Sequence, residues 1–132
     1  MARPPSSQPT PAELEILRIL WARGPSTCRE VHEAMGRRDR VGYTTVLKIL
    51  QIMVNKGIAV RDGAEGRSHI YRSAAPEADT QRRLVRDLMD RAFGGSAAQL
   101  VMQALSAKPA SADDLREIRR LLDRGRATGA KR

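Results

Sequence analysis

The sequence predicts a mostly α-helical protein interrupted by one small β-hairpin, and three observations lead there. Apolar residues recur at three- and four-residue spacing over most of the stretch from Leu14 to Leu122, the period of an amphipathic helix rather than a strand. Hydroxyl residues stand three positions ahead of an acidic one at Thr10–Glu13, Thr27–Glu30 and Ser111–Asp114, an arrangement that opens helices. Only the segment from Ile58 to Arg72 departs from this pattern. There, two short β-prone runs flank a turn bounded by Gly63 and Gly66, which signals a hairpin.

Residues 1–9 are rich in Pro and Ser and read as a disordered N-terminal tail. The first helix begins after Thr10, with Pro11 in a first-turn position that needs no N–H. Leu14, Ile16, Leu17, Leu20 and Trp21 form its stripe, and Gly24-Pro25 ends it near Arg23. A second helix follows Ser26-Thr27, turns Val31, Ala34 and Met35 inward and closes at Gly36. After a polar stretch the third helix runs from about Tyr43 to Lys56. With successive residues about 100° apart, Val46, Ile49, Leu50 and Met53 share one face, and Thr44, Lys48, Gln51 and Asn55 the opposite one. Leu47 and Ile52 fall off the apolar stripe.

Past Ala74-Ala75-Pro76, which read as a junction, every segment is helical. Leu84, Val85, Leu88, Met89, Ala92 and Phe93 stripe a helix from about Glu77 that Gly94-Gly95 break. Leu100, Val101, Ala104 and Leu105 mark a short helix ending at Lys108-Pro109, and Leu115, Ile118, Leu121 and Leu122 mark the last. The expected organisation is a compact domain at 10–75, a helical region at 76–124 and a basic tail at 125–132.

A chain of 132 residues has room for one domain, or for a small domain with an appended helical unit. Its 41% apolar content supports a core, and the aromatic residues are few: Trp21, Tyr43, Tyr71 and Phe93. The 24 Lys and Arg against 15 Asp and Glu leave a net charge of +9, which points to a polyanionic partner, nucleic acid first. The lone cysteine, Cys28, excludes an internal disulfide and a Cys-rich metal site. No apolar run approaches the ~20 residues that cross a bilayer, and MARPPSSQPTP lacks the apolar segment of a secretory signal. A cytoplasmic protein without membrane insertion is expected. His32 and His69 are the only histidines, with no HExxH or Ser-His-Asp arrangement. Asp113, Asp114 and Glu117 suit a helix start without a metal. No catalytic residue, metal or cofactor is expected.

Three helices followed by a glycine-turned hairpin is the order of a winged helix-turn-helix domain, whose reading helix enters the major groove of DNA. The third helix has a suitable face. Tyr43 can reach a phosphate or stack on sugar, and Thr44 and Thr45 can bond a phosphate or meet a thymine methyl. Lys48 suits guanine acceptors, Gln51 suits adenine, and Leu47 suits apolar groove contacts. The hairpin is the wing, with Arg67 and His69 beside phosphates or a minor-groove edge. The alternatives are a merely solvated polar face for the helix and an idle, half-exposed strand position for His69.

The C-terminal stripes are too narrow and too poor in aromatics for about 50 residues to hold a core of their own. Pairing with a second chain would complete one and offer two reading helices to a palindromic site. Leu84, Leu88, Met89, Phe93, Leu100, Val101, Leu105, Leu115, Ile118, Leu121 and Leu122 are the candidate dimerisation residues. Packing back onto the N-terminal domain is the alternative.

The segment from Tyr43 to Gly57, YTTVLKILQIMVNKG, resembles the penicillinase-repressor (BlaI/MecI/CopY) family. The similarity extends from about Thr10 to Leu122. It takes in the Glu13-to-Trp21 opening, the short gap to Thr27, the Arg67-to-Tyr71 wing, and Phe93-Gly94-Gly95 ahead of Leu100-Val101. The resemblance implies a homodimeric winged-helix repressor on a palindromic operator of double-stranded DNA, controlling β-lactam-response or related stress genes. In the best-known members a membrane metalloprotease receptor triggers cleavage in the dimerisation region. Their scissile Asn-Phe falls near Gln103-Ala104 here, a different pair. The copper-responsive branch carries C-terminal cysteine ligands, and this chain ends in Ala130-Lys131-Arg132. Two rival readings of the residues remain. One is a ligand- or redox-responsive regulator acting through Cys28, near a helix start that lowers thiol pKa, although a small half-buried core residue is the favoured reading of that cysteine. The other is a winged helix used as a protein-interaction module.

Overall fold

Thr10 Oγ1 accepts the Glu13 N–H at 3.2 Å while Glu13 Oε1 accepts the Thr10 N–H at 3.0 Å, so α1 (Pro11–Arg23) opens on a reciprocal capping box. Thr27 and Glu30 repeat it at α2 (Cys28–Met35), at 3.1 and 2.9 Å. The third helix, α3 (Tyr43–Lys56), starts from Gly42 with no side-chain cap. It ends on Gly57, whose φ of 84° is open to glycine without strain. There the Gly57 N–H bonds Val54 O and the Ile58 N–H bonds Met53 O, both at 3.0 Å, the paired closure of a Schellman turn. This computed structural model describes residues 8–36, 41–63 and 69–129, with side chains to Gly125.

Three strands form an antiparallel sheet in the order β1-β3-β2, with β1 at Ser26–Thr27, β2 at Ala59–Asp62 and β3 at Ile70–Ser73. Arg61 faces Tyr71 and Val60 faces Arg72 across the hairpin. The sequence reading expects the hairpin but not β1. Thr27 is extended because it is the N-cap of α2. That extended pair of residues sits where Ser26 can match Tyr71 and Thr27 can match Ile70.

The core gathers Ile16, Leu17 and Leu20 from α1, Cys28, Val31 and Met35 from α2, and Val46, Leu50 and Met53 from α3, closed by Ala59 and Tyr71. Ile49 is half-buried beside them. One inward assignment fails: Ala34 is exposed. Cys28, Val31 and Met35, at i, i+3 and i+7, already fill the buried stripe of this short helix.

Three helices follow: α4 (Glu77–Ala92), α5 (Ala97–Ala107) and α6 (Ala112–Gly129). Ser96 and Ser111 hydroxyls accept the Gln99 and Asp114 N–H groups at 3.1 and 3.0 Å at the starts of α5 and α6. The chain divides within α4, between Leu84 and Val85, into two compact units. No described residue from Val85 onward is buried. The basic tail expected at 125–132 is helical as far as Gly129. Gly125 alone costs about 1 kcal/mol, too little to stop a helix continued by Arg and Ala. Among the described residues, no helix is long and apolar enough to cross a membrane.

Candidate nucleic-acid interface

The orientation of α3 is fixed by its inner face. Val46, Leu50 and Met53 are each 0% exposed, and together they seat successive turns against α1 and α2. Tyr43, Thr44, Thr45, Lys48 and Gln51 therefore project outward, and all five are exposed. Leu47 is half-buried against the core beside them. Ile52, which the apolar stripe does not explain, is 44% exposed. Asn55 also faces solvent.

No acidic residue lies on α3. Its N-cap, Gly42, has no side chain to cap the first turn, and among the described residues nothing else does, so the positive end of the helix dipole suits an anion. The approach to that end is held from α2. His32 Nε2 donates to the Val41 carbonyl at 2.8 Å, and its ring meets Tyr43 edge-on, with centroids 6.1 Å apart. Sequence reasoning misses this role of His32, because its partner is a backbone carbonyl that no side-chain spacing marks.

Two arginines in the described part of the wing, Arg61 and Arg72, are exposed yet engaged within the hairpin. Arg72 Nε donates to Asp62 Oδ2 at 3.1 Å across the hairpin, and Arg61 lies beside the Tyr71 phenol. Burial pushes that phenol above its ordinary pKa, against the opposing pull of Arg61. Arg67 lies outside the described residues. His69 is half-buried just ahead of β3, and its Nδ1 is buried without a hydrogen-bond partner. It lines an open cleft of roughly 420 Å³ with Thr27, Cys28, Arg29, Glu30, Tyr43, Leu47 and Tyr71. His69 is thus brought against the starts of α2 and α3.

Cys28 is 5% exposed, with Sγ facing the Tyr43 carbonyl at 4.0 Å. Burial raises its pKa, and this outweighs the lowering from that contact. The rival reading of a reactive thiol at a helix start is not supported, because desolvation opposes the thiolate, and the core reading of Cys28 holds.

In the C-terminal unit and the α4 residue before it, Leu84, Met89, Phe93, Leu100 and Ile118 are half-buried. Leu88, Val101, Leu105, Leu115, Leu121 and Leu122 are exposed. Gln103 and Ala104 are exposed positions inside α5.

Residues 9–124 match the penicillinase repressor family. The chain belongs to the penicillinase repressor family. Members of the penicillinase repressor family are DNA-binding, helix-turn-helix regulators of transcription, and such regulators are generally not enzymes. The chain is 37% identical over 60 residues to the transcriptional regulator BlaI of Mycobacterium tuberculosis (strain ATCC 25618 / H37Rv), a match covering 45% of this chain and 43% of that protein. It thus spans less than half the length of that relative. It is 22% identical over 112 residues to the penicillinase repressor of Bacillus licheniformis, covering 85% of this chain and 87% of that one. A solved structure, the PcaV transcriptional regulator of Streptomyces coelicolor in complex with its natural ligand, aligns at 21% identity and a TM-score of 0.48. That alignment covers 93% of this chain and 78% of PcaV.

Proposed function

We propose that this chain is a sequence-specific repressor that acts as a homodimer on a palindromic operator and reads it with α3. One observation carries the reading. The helix buries Val46, Leu50 and Met53 completely and turns Tyr43, Thr44, Thr45, Lys48 and Gln51 to solvent, with no carboxylate among them. Lys48 and Gln51 are the base-reading pair, matched to guanine and adenine edges. Tyr43, Thr44, Thr45 and the open helix start take phosphates, Leu47 touches the groove wall, and Arg67 and His69 serve the wing.

The exposed leucines of α4, α5 and α6 support a second copy as the partner, since a lone chain leaves them in water. The operator lies in the cytoplasm, upstream of β-lactam-response or related stress genes. If release passes through a membrane metalloprotease receptor, as the family resemblance implies, Gln103-Ala104 is the region that corresponds to the cleavage site, although the pair itself differs. Both residues are helical, so α5 must unwind locally before a protease can take them in extended form.

The test uses the duplex that the parent protein selects from a randomised pool, with a scrambled duplex of the same composition as reference. Lys48→Ala with Gln51→Ala should abolish the preference for the selected duplex and leave weak binding to the scrambled one. Affinity should fall with salt, log K dropping by roughly 0.9 per phosphate neutralised. A double variant that still discriminates as the parent does sinks the assignment of α3.

A further inference from the structure

Lys56 closes the last turn of α3, yet its ammonium is turned inward. Its side chain is 17% exposed, and Nζ lies 2.7 Å from Glu13 Oε1 and 3.3 Å from the Gln8 carbonyl. Glu13 is itself 4% exposed. The same carboxylate oxygen also accepts the Thr10 N–H. One oxygen atom therefore joins the capping box of α1 to the final turn of α3.

A buried ion pair is a poor device for stability alone, because desolvating two charges offsets most of their attraction. An apolar pair of similar volume would hold the helices together as well. What the ion pair adds is direction. Apolar packing such as the cluster holding Ile16, Leu17, Leu50 and Met53 tolerates small slides, whereas a 2.7 Å charged hydrogen bond is short and angle-dependent.

We propose that Glu13 and Lys56 are positioning residues for DNA reading: their buried ion pair fixes the tilt of α3 and hence where Lys48 and Gln51 stand over the base edges. This rests on α3 being the reading helix. The start of α3 is anchored by the His32 contact to Val41, and the Lys56 pair anchors the other end. Gln51 stands about 12 Å along the axis from Tyr43 at 1.5 Å per residue. A swing of the free end by about 5° would move it about 1 Å, enough to take a base hydrogen bond out of range. Lys56 acts through α3 and touches no DNA itself.

The experiment again compares the duplex selected by the parent with its scrambled counterpart. Lys56→Met alone strands the Glu13 carboxylate in the core and risks unfolding, so the deciding variant is Glu13→Gln with Lys56→Met, which leaves no buried charge. Its thermal melt should stay near that of the parent. Its affinity for the scrambled duplex, and the salt dependence of that affinity, should be unchanged. The preference for the selected duplex should fall about tenfold, the weight of one base contact, and Lys56→Arg should keep the preference of the parent. If the folded double variant discriminates as well as the parent, the positioning role is overturned. It is overturned equally if the salt slope on scrambled DNA drops by about 0.9, since Lys56 is then a phosphate contact. If the parent selects no duplex at all, the reading of α3 has failed first and takes this one with it. Loss of selection confined to Lys48→Ala with Gln51→Ala leaves the reading standing and removes only the role of Glu13 and Lys56.

Discussion

The indole N–H of Trp21 donates to the Ser73 hydroxyl over 3.0 Å, joining α1 to the last residue of β3. Ser73 in turn donates to the Ala75 carbonyl at 2.7 Å. Two hydrogen bonds in series thus hold the backbone where the hairpin gives way to α4. The only tryptophan of the chain sits at one end of that series.

Ser73→Ala removes the shared hydroxyl and leaves a half-buried indole N–H and a half-buried carbonyl without it. The expected loss is about 1–2 kcal/mol of unfolding free energy. A urea titration followed by Trp21 fluorescence should show an earlier midpoint with an unchanged slope. Ser73→Thr, which keeps the hydroxyl and suits a strand, should restore most of it. An unshifted midpoint for Ser73→Ala would mean that water replaces the hydroxyl at no cost.

Thr27→Ala deletes the side-chain cap of α2 and should cost about 1 kcal/mol. The effect on α2 is concentrated, because the helix has only 8 residues and supplies Cys28, Val31 and Met35 to the core. Thr27→Ser should recover nearly all of the loss. Thermal melts of the three proteins check this, and equal midpoints for Thr27→Ala and the parent would mean that β1 pairing alone sets the start of α2.

The elements of the fold were legible where local chemistry decides them. Thr10–Glu13, Thr27–Glu30 and Ser111–Asp114 mark helix starts in sequence and make those caps in space. Gly24 and Gly57 mark helix ends, because the chain needs positive φ there. The outward face of α3 was legible for the same reason, since Val46, Leu50 and Met53 leave no other side for Lys48 and Gln51. What escaped is tertiary. Glu13 reads as a cap and Lys56 as the end of a helix, and nothing in either position announces that they meet across 43 residues. β1 is only two residues long, too short to carry a period. Cys28 offered two readings in sequence, a reactive thiol at a helix start and a small core residue, which push the thiol in opposite directions; packing decides for the core.

Alkaline pH should destabilise the domain through Cys28 and Tyr71. Burial raises both pKa values above their ordinary 9.0 and 10.0. Above pH 9.0, then, the unfolded chain releases the thiol proton while the folded chain keeps it, so stability falls as pH rises; below that value neither group adds a slope. Cys28→Ala should delay the fall until Tyr71 contributes, from about pH 10. Thermal midpoints measured across this range check it: identical slopes for parent and variant would remove Cys28 from the account. The same burial predicts that peroxide leaves DNA affinity of the parent no different from that of Cys28→Ser.

The C-terminal leucines give the last prediction. Leu121 and Leu122 are 58% and 63% exposed on α6, continuing the stripe of Leu115 and Ile118. If a second chain covers them, the melting midpoint of the parent rises with protein concentration, because association stabilises only the folded form. Leu122→Glu then forces a carboxylate into the interface. Dissociation should strengthen by about a hundredfold or more, given the several kcal/mol that burying an unpaired charge costs. On a lone chain the same substitution is a surface change within about 0.5 kcal/mol. Sedimentation equilibrium therefore separates the two cases. A parent dimer that Leu122→Glu turns into a folded monomer with a concentration-independent melt places α6 in the interface. A variant that sediments and melts as the parent does removes α6 from it and leaves those leucines in water.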